Sequence, residues 1–231
     1  MERSGPFPYL AFLGLNSMMR NTFGARCARV AVIGGMVVAC TLTSVKDSIA
    51  AEPVVYKVEE DWEMVVNEPD VANNSPQVTF FTSPSTGLDD SYFQLQMNYH
   101  ADEDYSSGGF HVAAVDGGVV QDEARSVTRK TLSTDDDRLR WTSVMAVIEN
   151  KALFAVRDGY GQEWGEFGGP DYLVRIVPTP VPDLSKYHHQ QSLDNVDIGF
   201  GKNRVSGITL KAVRLFYTDG NVKTVAVNQQ L

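Results

Sequence analysis

Three side chains in a glycine-rich segment, residues 158–169, have the chemistry of a sugar-binding site: Asp158, Tyr160 and Trp164. Aromatic rings stack against the apolar C–H faces of sugars, and carboxylates accept hydrogen bonds from sugar hydroxyls. Loops often carry such residues when a rigid scaffold positions them. The segment therefore predicts a carbohydrate site. The alternative is that Trp164 folds back to cap the edge of the scaffold.

A second polar pair, Asn203 and Arg204, follows two glycines and precedes an apolar run. Amide and guanidinium groups can hydrogen-bond to the polar groups of a ligand. The alternative is structural, with Arg204 bridging to a carboxylate such as Asp158 or Asp197. On the functional interpretation, this pair joins the first three side chains in one ligand-binding set.

Catalytic residues are not predicted. Glu163 and Glu166 flank Trp164, and paired carboxylates hydrolyse glycosides. In an extended strand, however, an offset of three residues directs two side chains to opposite faces. This favours a solvated acidic hairpin. The sequence also has no His-Glu-x-x-His string and no Gly-x-Ser-x-Gly elbow, which argues against a zinc hydrolase and a serine hydrolase.

Three acidic clusters suggest Ca²⁺ as the one possible cofactor, because Ca²⁺ prefers hard oxygen ligands on loops. None of them matches the regular Asp-x-Asp-x-Asp-Gly loop, so solvated acidic turns are the alternative. The clusters are residues 89–90, 102–104 and 135–137.

The elements that must position these residues are predicted to be strands. From residue 54 onward, β-branched and aromatic runs alternate with turn signals, and residues 92–98 alternate polar with apolar side chains. Asp-Gly pairs predict tight turns at 116–117, 158–159 and 219–220, and residues 149–151 predict another. The prolines of 178–182 predict a surface crossing between sheets. The predicted strands are 54–58, 62–66, 76–82, 92–98, 110–115, 138–148, 152–157, 172–177, 205–210, 213–218 and 222–228.

This pattern, without a convincing helical stripe, predicts an all-β fold: a two-sheet antiparallel sandwich or jelly roll, formed by residues 52–231 as one domain. The long strands at 138–157 resemble the central hairpin of concanavalin A-like jelly rolls, which legume-type lectins, laminin-G-like modules and several glucanases share. The resemblance implies the fold only. Glucanases of this fold carry a Glu-x-Asp-x-Glu strand, and this sequence has none.

Residues 1–51 are predicted to be a signal peptide and leader. Three arginines precede an uncharged apolar run, residues 30–42, which has the length of a signal h-region and is short for a membrane span. Cleavage after Ala50 or Ala51 would release a domain that is secreted or lies in the periplasm or cell envelope.

Alternatives for the leader stay open. It could be an uncleaved hydrophobic anchor. Residues 37–40 resemble a bacterial lipobox, in which a lipidated Cys40 would tether the domain to a membrane; only then is membrane contact predicted. The true start could be Met18 or Met19 rather than Met1.

Composition and charge narrow the classes of partner. The chain has 231 residues, 43% hydrophobic and 21% charged, which is ordinary for a globular protein. Its 20 basic and 29 acidic residues give −9; removing the five bases and two acids of residues 1–51 leaves 15 bases and 27 acids, a net −12. Such a surface repels phosphate backbones, so nucleic acid is not an expected partner. Both cysteines, Cys27 and Cys40, lie in the leader, so the domain is predicted to lack disulfides and thiolate chemistry.

The predicted function is an exported, non-catalytic module that binds carbohydrate or another component of the cell envelope. The alternatives are a structural or adhesion protein of the envelope and a polysaccharide hydrolase or lyase. The predicted ligand-binding residues are Asp158, Tyr160, Trp164, Asn203 and Arg204.

Overall fold

The computed structural model shows a protein built mainly of β-strands. All the residues that the structure describes, from 52 onward, belong to one compact unit, Ala50–Leu231. The predicted signal peptide, the Cys40 lipobox and the acidic clusters 89–90 and 102–104 lie outside the described residues. Across the described ranges, no helix has both the length and the apolar character needed to span a membrane. Those ranges are 52–67, 77–88, 91–99, 108–126, 130–132, 134–168, 173–199 and 202–231.

The strands form two antiparallel sheets, which confirms the predicted sandwich. In chain order they are β1 (Val55–Val66), β2 (Val78–Thr82), β3 (Ser91–Met97), β4 (Phe110–Asp116), β5 (Val119–Arg125), β6 (Asp137–Ile148), β7 (Lys151–Gly161), β8 (Gly165–Phe167), β9 (Arg175–Pro178), β10 (Val196–Ile198), β11 (Val205–Tyr217) and β12 (Val222–Gln230). The seven-stranded sheet has the order β12-β11-β1-β6-β7-β8, with β9 also paired to β7. The five-stranded sheet has the order β10-β2-β3-β4-β5.

Alternation along the strands separates a core face from an outer face. In β3, Phe93, Leu95 and Met97 are buried while the intervening residues are half-buried, as the sequence predicts. At the centre of the core, Trp62 and Trp141 stack with ring centroids 6.3 Å apart. Phe80 of the opposite sheet meets both rings edge-on, at 5.2 and 5.0 Å. This aromatic cluster fixes the level at which the two sheets pack, because aromatic pairs add about 0.5–1.5 kcal/mol each beyond burial.

The turns follow the prediction at three of four places. The turns at Gly117–Gly118, Glu149–Asn150 and Gly220 all have positive φ, which suits tight hairpins. Asp158 and Gly159, by contrast, lie inside β7 and make no turn. The predicted hairpin turn at this position is therefore wrong.

Several boundaries also differ from the prediction. The runs 54–58 and 62–66 join into β1, and 205–210 and 213–218 join into β11, because the residues between them continue the pairing with the neighbouring strands. The prediction omits β5, since it is a mostly exposed, polar edge strand. It also omits the helix α1 (His189–Asp194), because six residues leave no periodic stripe.

A buried carboxylate joins the crossing segment to β1. The chain leaves β9 in one sheet and enters β10 in the other, which confirms the predicted crossing. Glu60 is 2% exposed and accepts hydrogen bonds from Tyr187 Oη at 2.7 Å, Ser192 Oγ and Trp62 Nε1 at 3.0 Å. Burial raises the pKa of Glu60 despite these three donors. The same burial, with the nearby Glu60 carboxylate, raises the pKa of Tyr187 above its usual range.

Candidate functional site

Two β-bulges on the outer face of the seven-stranded sheet frame a cleft. Arg140 pairs with Tyr160, and Thr142 pairs with Arg157, so one residue of β6 faces two residues of β7. One of these two residues is Asp158. Bulges bend a strand and re-aim its side chains, and they are common next to functional sites.

The second bulge lies on the other side of the same two central strands. Asp61 pairs with Ala212 and Trp62 with Leu210, so Lys211 is the extra residue of β11. Trp62 also pairs with Trp141 of β6. The bulges on β7 and β11 therefore flank one level of the sheet, directly behind the stacked tryptophans of the core.

The cleft between the bulges is open and has a volume of about 220 Å³. Its polar side chains come from four adjacent strands: Asp61 and Glu63 of β1, Arg140 and Thr142 of β6, Asp158 of β7 and Lys211 of β11. Acceptors and donors thus converge on one shallow space. Such an arrangement suits a ligand rich in hydroxyl groups.

Gly159 makes the β7 bulge possible. A Cβ at this residue would lie 2.2 Å from the ring of Phe167 and 2.6 Å from its carbonyl oxygen. Phe167 itself is 7% exposed and belongs to the core. Asp158 has a φ of 51°, a conformation that Asp adopts more readily than most residues. The Asp-Gly pair is conformationally special, as its sequence indicates, but its role is to shape a bulge.

Arg140 and Tyr160 form an exposed pair beside the cleft. The guanidinium carbon of Arg140 lies 5.4 Å from the centroid of the Tyr160 ring, and the Tyr160 side chain is 42% exposed. Among the described residues, no carboxylate lies within ion-pair distance of Arg140, and no basic side chain lies within that distance of Asp158. The cleft therefore holds a cation and a carboxylate whose hydrogen-bonding groups are available to a ligand.

The floor beside the cleft is a network of ion pairs. Arg214 binds both oxygens of Asp61 and donates from Nε to Glu59 at 2.9 Å. Thr142 Oγ1 donates to Asp61 at 2.8 Å, and Lys57 donates to Glu59 at 2.9 Å. Burial alone would raise the pKa of Glu59. The hydrogen bonds from Lys57 and Arg214 outweigh this effect and hold the pKa below its usual value. This network joins β1, β6 and β11 on the outer face.

Glu63 lies between two bases at the edge of this network. Arg138 and Lys211 each approach its Oε1 to 3.9 Å, and their side chains are 69% and 47% exposed. At these distances and exposures the pairs are loose and contribute little to stability. Both bases can therefore turn toward a ligand at small cost.

Trp164 is not presented to a ligand. Its side chain is 9% exposed, its Nε1 donates to the Lys130 carbonyl at 2.8 Å, and its ring packs 4.2 Å from that of Phe110. The structure thus corrects the expectation of an exposed, sugar-stacking ring and matches the alternative that Trp164 caps the scaffold. Trp164 is buried because Phe110, from β4 of the five-stranded sheet, packs against its ring.

The pair Asn203 and Arg204 lies away from the cleft. These residues belong to a 3₁₀ turn, Lys202–Arg204, just before β11. The Arg204 carbonyl accepts a hydrogen bond from Asn67, which follows the end of β1. Because the cleft lies at Asp61–Glu63, the turn is several residues further along β1. The structure therefore brings Asp158 and Tyr160 together and leaves this pair outside their site.

Four charged residues of the cleft are not among the predicted site residues: Asp61, Glu63, Arg140 and Lys211. A signal for Lys211 exists, since two residues rather than one separate the buried Leu210 from the buried Val213. Such a break in alternation marks a bulge. The others look like ordinary outward-facing charges, and only strand pairing places them together.

In the remaining acidic cluster, residues 135–137, the last residue, Asp137, has a structural role. Asp137 is fully buried and accepts hydrogen bonds from the backbone amides of Gln162 and Glu163. Within the described ranges, no group of three or more His, Cys, Asp or Glu side chains could hold a metal ion.

The structure resembles solved structures of galectins and a congerin at low identity. The ancestral congerin Con-anc has a TM-score of 0.33 and 13% identity, over 71% of this chain and 94% of that chain. A variant of human galectin-16 has a TM-score of 0.32 and 13% identity, over 76% and 93%. Sheep galectin-11 in complex with glycerol has a TM-score of 0.33 and 12% identity, over 75% and 95%. No protein-family model matches the chain, and no curated protein matches it.

Proposed function

We propose that this protein is an exported, non-catalytic β-sandwich module that binds carbohydrate through the cleft between the two bulges. The observation that carries the proposal is the combination of Arg140, Asp158 and Tyr160. An available donor, an available acceptor and an exposed ring converge beside a cleft of about 220 Å³. Sugars offer hydroxyls that both donate and accept, together with apolar C–H faces.

The shape of the cleft indicates how much of a ligand it holds. Small-molecule pockets usually enclose about 300–1,000 Å³, and this cleft is smaller and open. It suits a short stretch of a saccharide chain that lies across the strands. The bulges on β7 and β11 would lie at the two ends of that stretch.

Binding rather than catalysis is proposed because Glu60, the carboxyl group with a raised pKa, cannot contact a ligand in the cleft. A glycosidase acid needs a raised pKa and contact with the glycosidic oxygen. Burial raises the pKa of Glu60, but this side chain faces the core and is held by Tyr187 and Ser192. In the cleft, Asp61 is bound by Arg214 and Thr142.

The other elements of the proposal rest on the sequence. Export follows from the apolar run and small residues before Glu52, and the cell envelope is the proposed location. Lipidation at Cys40, a Ca²⁺ site, a ligand role for Asn203 and Arg204, and a concanavalin A-like relationship stay predictions.

A glycan-array screen of the purified protein tests the function. Asp158→Asn is the informative variant, because Asn tolerates positive φ and keeps the bulge while the charge is lost. Asp197→Asn is the matched control, since Asp197 is an exposed carboxylate on β10 of the other sheet. We expect glycan binding that Asp158→Asn weakens and Asp197→Asn does not. Absence of binding to every glycan by the folded protein would contradict the proposal.

A further inference from the structure

We propose that the cleft selects anionic saccharides, with Arg140 binding the carboxylate or sulfate group of the sugar and Tyr160 positioning Arg140. This inference rests on the proposed carbohydrate-binding function and names its ligand class. Arg140 carries five N–H donors in a planar fork, which matches a carboxylate or sulfate in a two-point contact.

Tyr160 holds the guanidinium in place. The two residues are directly paired across β6 and β7, and the guanidinium carbon lies 5.4 Å from the ring centroid. Stacking on a ring limits the freedom of a long side chain without using its N–H donors. The fork of Arg140 is therefore oriented before a ligand arrives, which reduces the entropy lost on binding.

A second arginine that lies over a tyrosine ring, Arg125, has a carboxylate close to its guanidinium group. Arg125 lies 4.9 Å over the ring of Tyr99 on the five-stranded sheet. There, the Glu123 carboxylate approaches Arg125 to 3.6 Å. For Arg140, no carboxylate among the described residues takes that place. The anion that Arg140 lacks is the group we assign to the ligand.

Charge at the cleft supports the same assignment. Arg214 and Thr142 already engage Asp61. Of the charged side chains that remain there, Glu63 is approached by both Arg138 and Lys211 at 3.9 Å, whereas Arg140 has no carboxylate within ion-pair distance in the described ranges. An anionic group on the ligand would give Arg140 the partner that it lacks.

Bases and carboxylates are interspersed on this face. Its bases include six of the 15 in residues 52–231, and they lie among carboxylates such as Glu59, Asp61 and Glu63: Lys57, Arg138, Arg140, Arg157, Lys211 and Arg214. The net charge of −12 over residues 52–231 repels an anion only weakly at the cleft, because the screening length is about 8 Å at physiological ionic strength. Contact chemistry at the cleft therefore dominates over the overall charge.

Asp158 adds selectivity for the sugar itself. Its carboxylate repels a bare anion but accepts a hydrogen bond from a hydroxyl. A ligand that has both an anionic group and hydroxyls satisfies Arg140 and Asp158 together. Inorganic anions satisfy only the first.

Calorimetric titration of the purified protein tests the inference with three probes. They are a short oligogalacturonate, its carboxyl-reduced neutral counterpart and a sulfated oligosaccharide. We expect at least one anionic probe to bind about tenfold more tightly than the neutral one, equivalent to about 1.4 kcal/mol. Preference for the first or third probe distinguishes a carboxylate from a sulfate ligand.

Variants connect that preference to the two side chains. We expect Arg140→Gln to abolish the preference for the anionic probe and Arg140→Lys to retain only part of it. Tyr160→Phe should preserve the preference, whereas Tyr160→Leu should reduce it. Arg125→Gln, the matched control on the other sheet, should leave it unchanged.

The failures are distinguishable. Equal affinity for the neutral and anionic probes, or an equal loss of both in Arg140→Gln, would overturn the anion assignment and leave sugar binding intact. Binding to none of the probes, with no glycan bound on the array, would overturn both proposals.

Discussion

Arg140 and Tyr160 lie opposite each other in the register of β6 and β7, and the guanidinium of the first rests 5.4 Å from the ring centroid of the second. This pairing exists because the bulge at Asp158 shifts the register by one residue. Since side chains alternate between faces, an unbulged β7 would direct Tyr160 toward the core. One extra residue thus places the acid in the lining of the cleft and the ring beside it.

Gly159→Ala should destabilise the protein by about 1–3 kcal/mol, the usual cost of overpacking. The added methyl group would clash with the Phe167 ring, whose nearest atoms lie 2.2 Å from the place that the new Cβ would occupy. Chemical denaturation measures the loss. Gly199→Ala is the control, because the nearest atom to its Cβ would be 3.8 Å away. Equal stability of the two variants would contradict the role of Gly159.

Trp164→Ala should reduce the free energy of unfolding by about 3–5 kcal/mol, as for other buried aromatic residues. It removes the contacts with Phe110 and Phe167 and the hydrogen bond to Lys130. Tyr160→Ala, at an exposed site, should change stability by no more than about 0.5 kcal/mol. Denaturation and glycan binding measured on both variants separate packing from recognition. A stable Trp164→Ala variant that loses only glycan binding would contradict this assignment.

Arg214→Gln should cost about 1–2 kcal/mol, because Glu59 and Asp61 both lose a charged hydrogen-bond donor in a partly buried site. The loss should shrink at high salt, where ionic contacts are screened. Arg138→Gln is the control: its side chain is 69% exposed and 3.9 Å from Glu63, so little change is expected. Similar losses in the two variants would show that the network does not stabilise the sheet.

Glu59 and Glu60 are neighbours with opposite pKa shifts, which predicts opposite pH dependence. The native pKa of Glu59 lies below the ordinary 4.5, so its stabilisation is present above that pH and is lost as the pH falls. The native pKa of Glu60 lies above 4.5, so its contribution is present below that pH and is lost as the pH rises through the native pKa.

Unfolding free energies of Glu59→Gln and Glu60→Gln, measured across this pH range, test the sign. The Glu59→Gln variant should be less stable than the unmodified protein above pH 4.5, and this difference in unfolding free energy should shrink as the pH falls. Glu60→Gln should instead gain relative stability as the pH rises. Slopes of the same sign would show that one of the two assignments is wrong.

Local patterns predicted the sandwich, and non-local contacts decided the site. The alternation in β3 and the turn at 149–150 depend only on local sequence, so both were predictable. The Asp-Gly pair at 158–159 has the same local signature as a turn. It forms a bulge instead because its neighbours on β6 continue the pairing beyond it.

The fate of each aromatic side chain was equally non-local. Trp164 and Tyr160 lie in the same segment, yet Phe110 of the opposite sheet covers the first, while the second stays exposed at the cleft. Lys211 became a cleft residue only because β11 bulges at the level of Trp62. Such relationships depend on strand register, which a single sequence does not specify.

Amide chemical-shift mapping during titration with a saccharide identified on the array tests the central claim most directly. We expect the largest shifts at residues 61–63, 140–142, 158–160 and 211, on the four strands that line the cleft, and we expect Asp158→Asn to diminish them. Shifts that cluster on the five-stranded sheet, or around residues 202–204, would contradict the assignment of the cleft as the binding site.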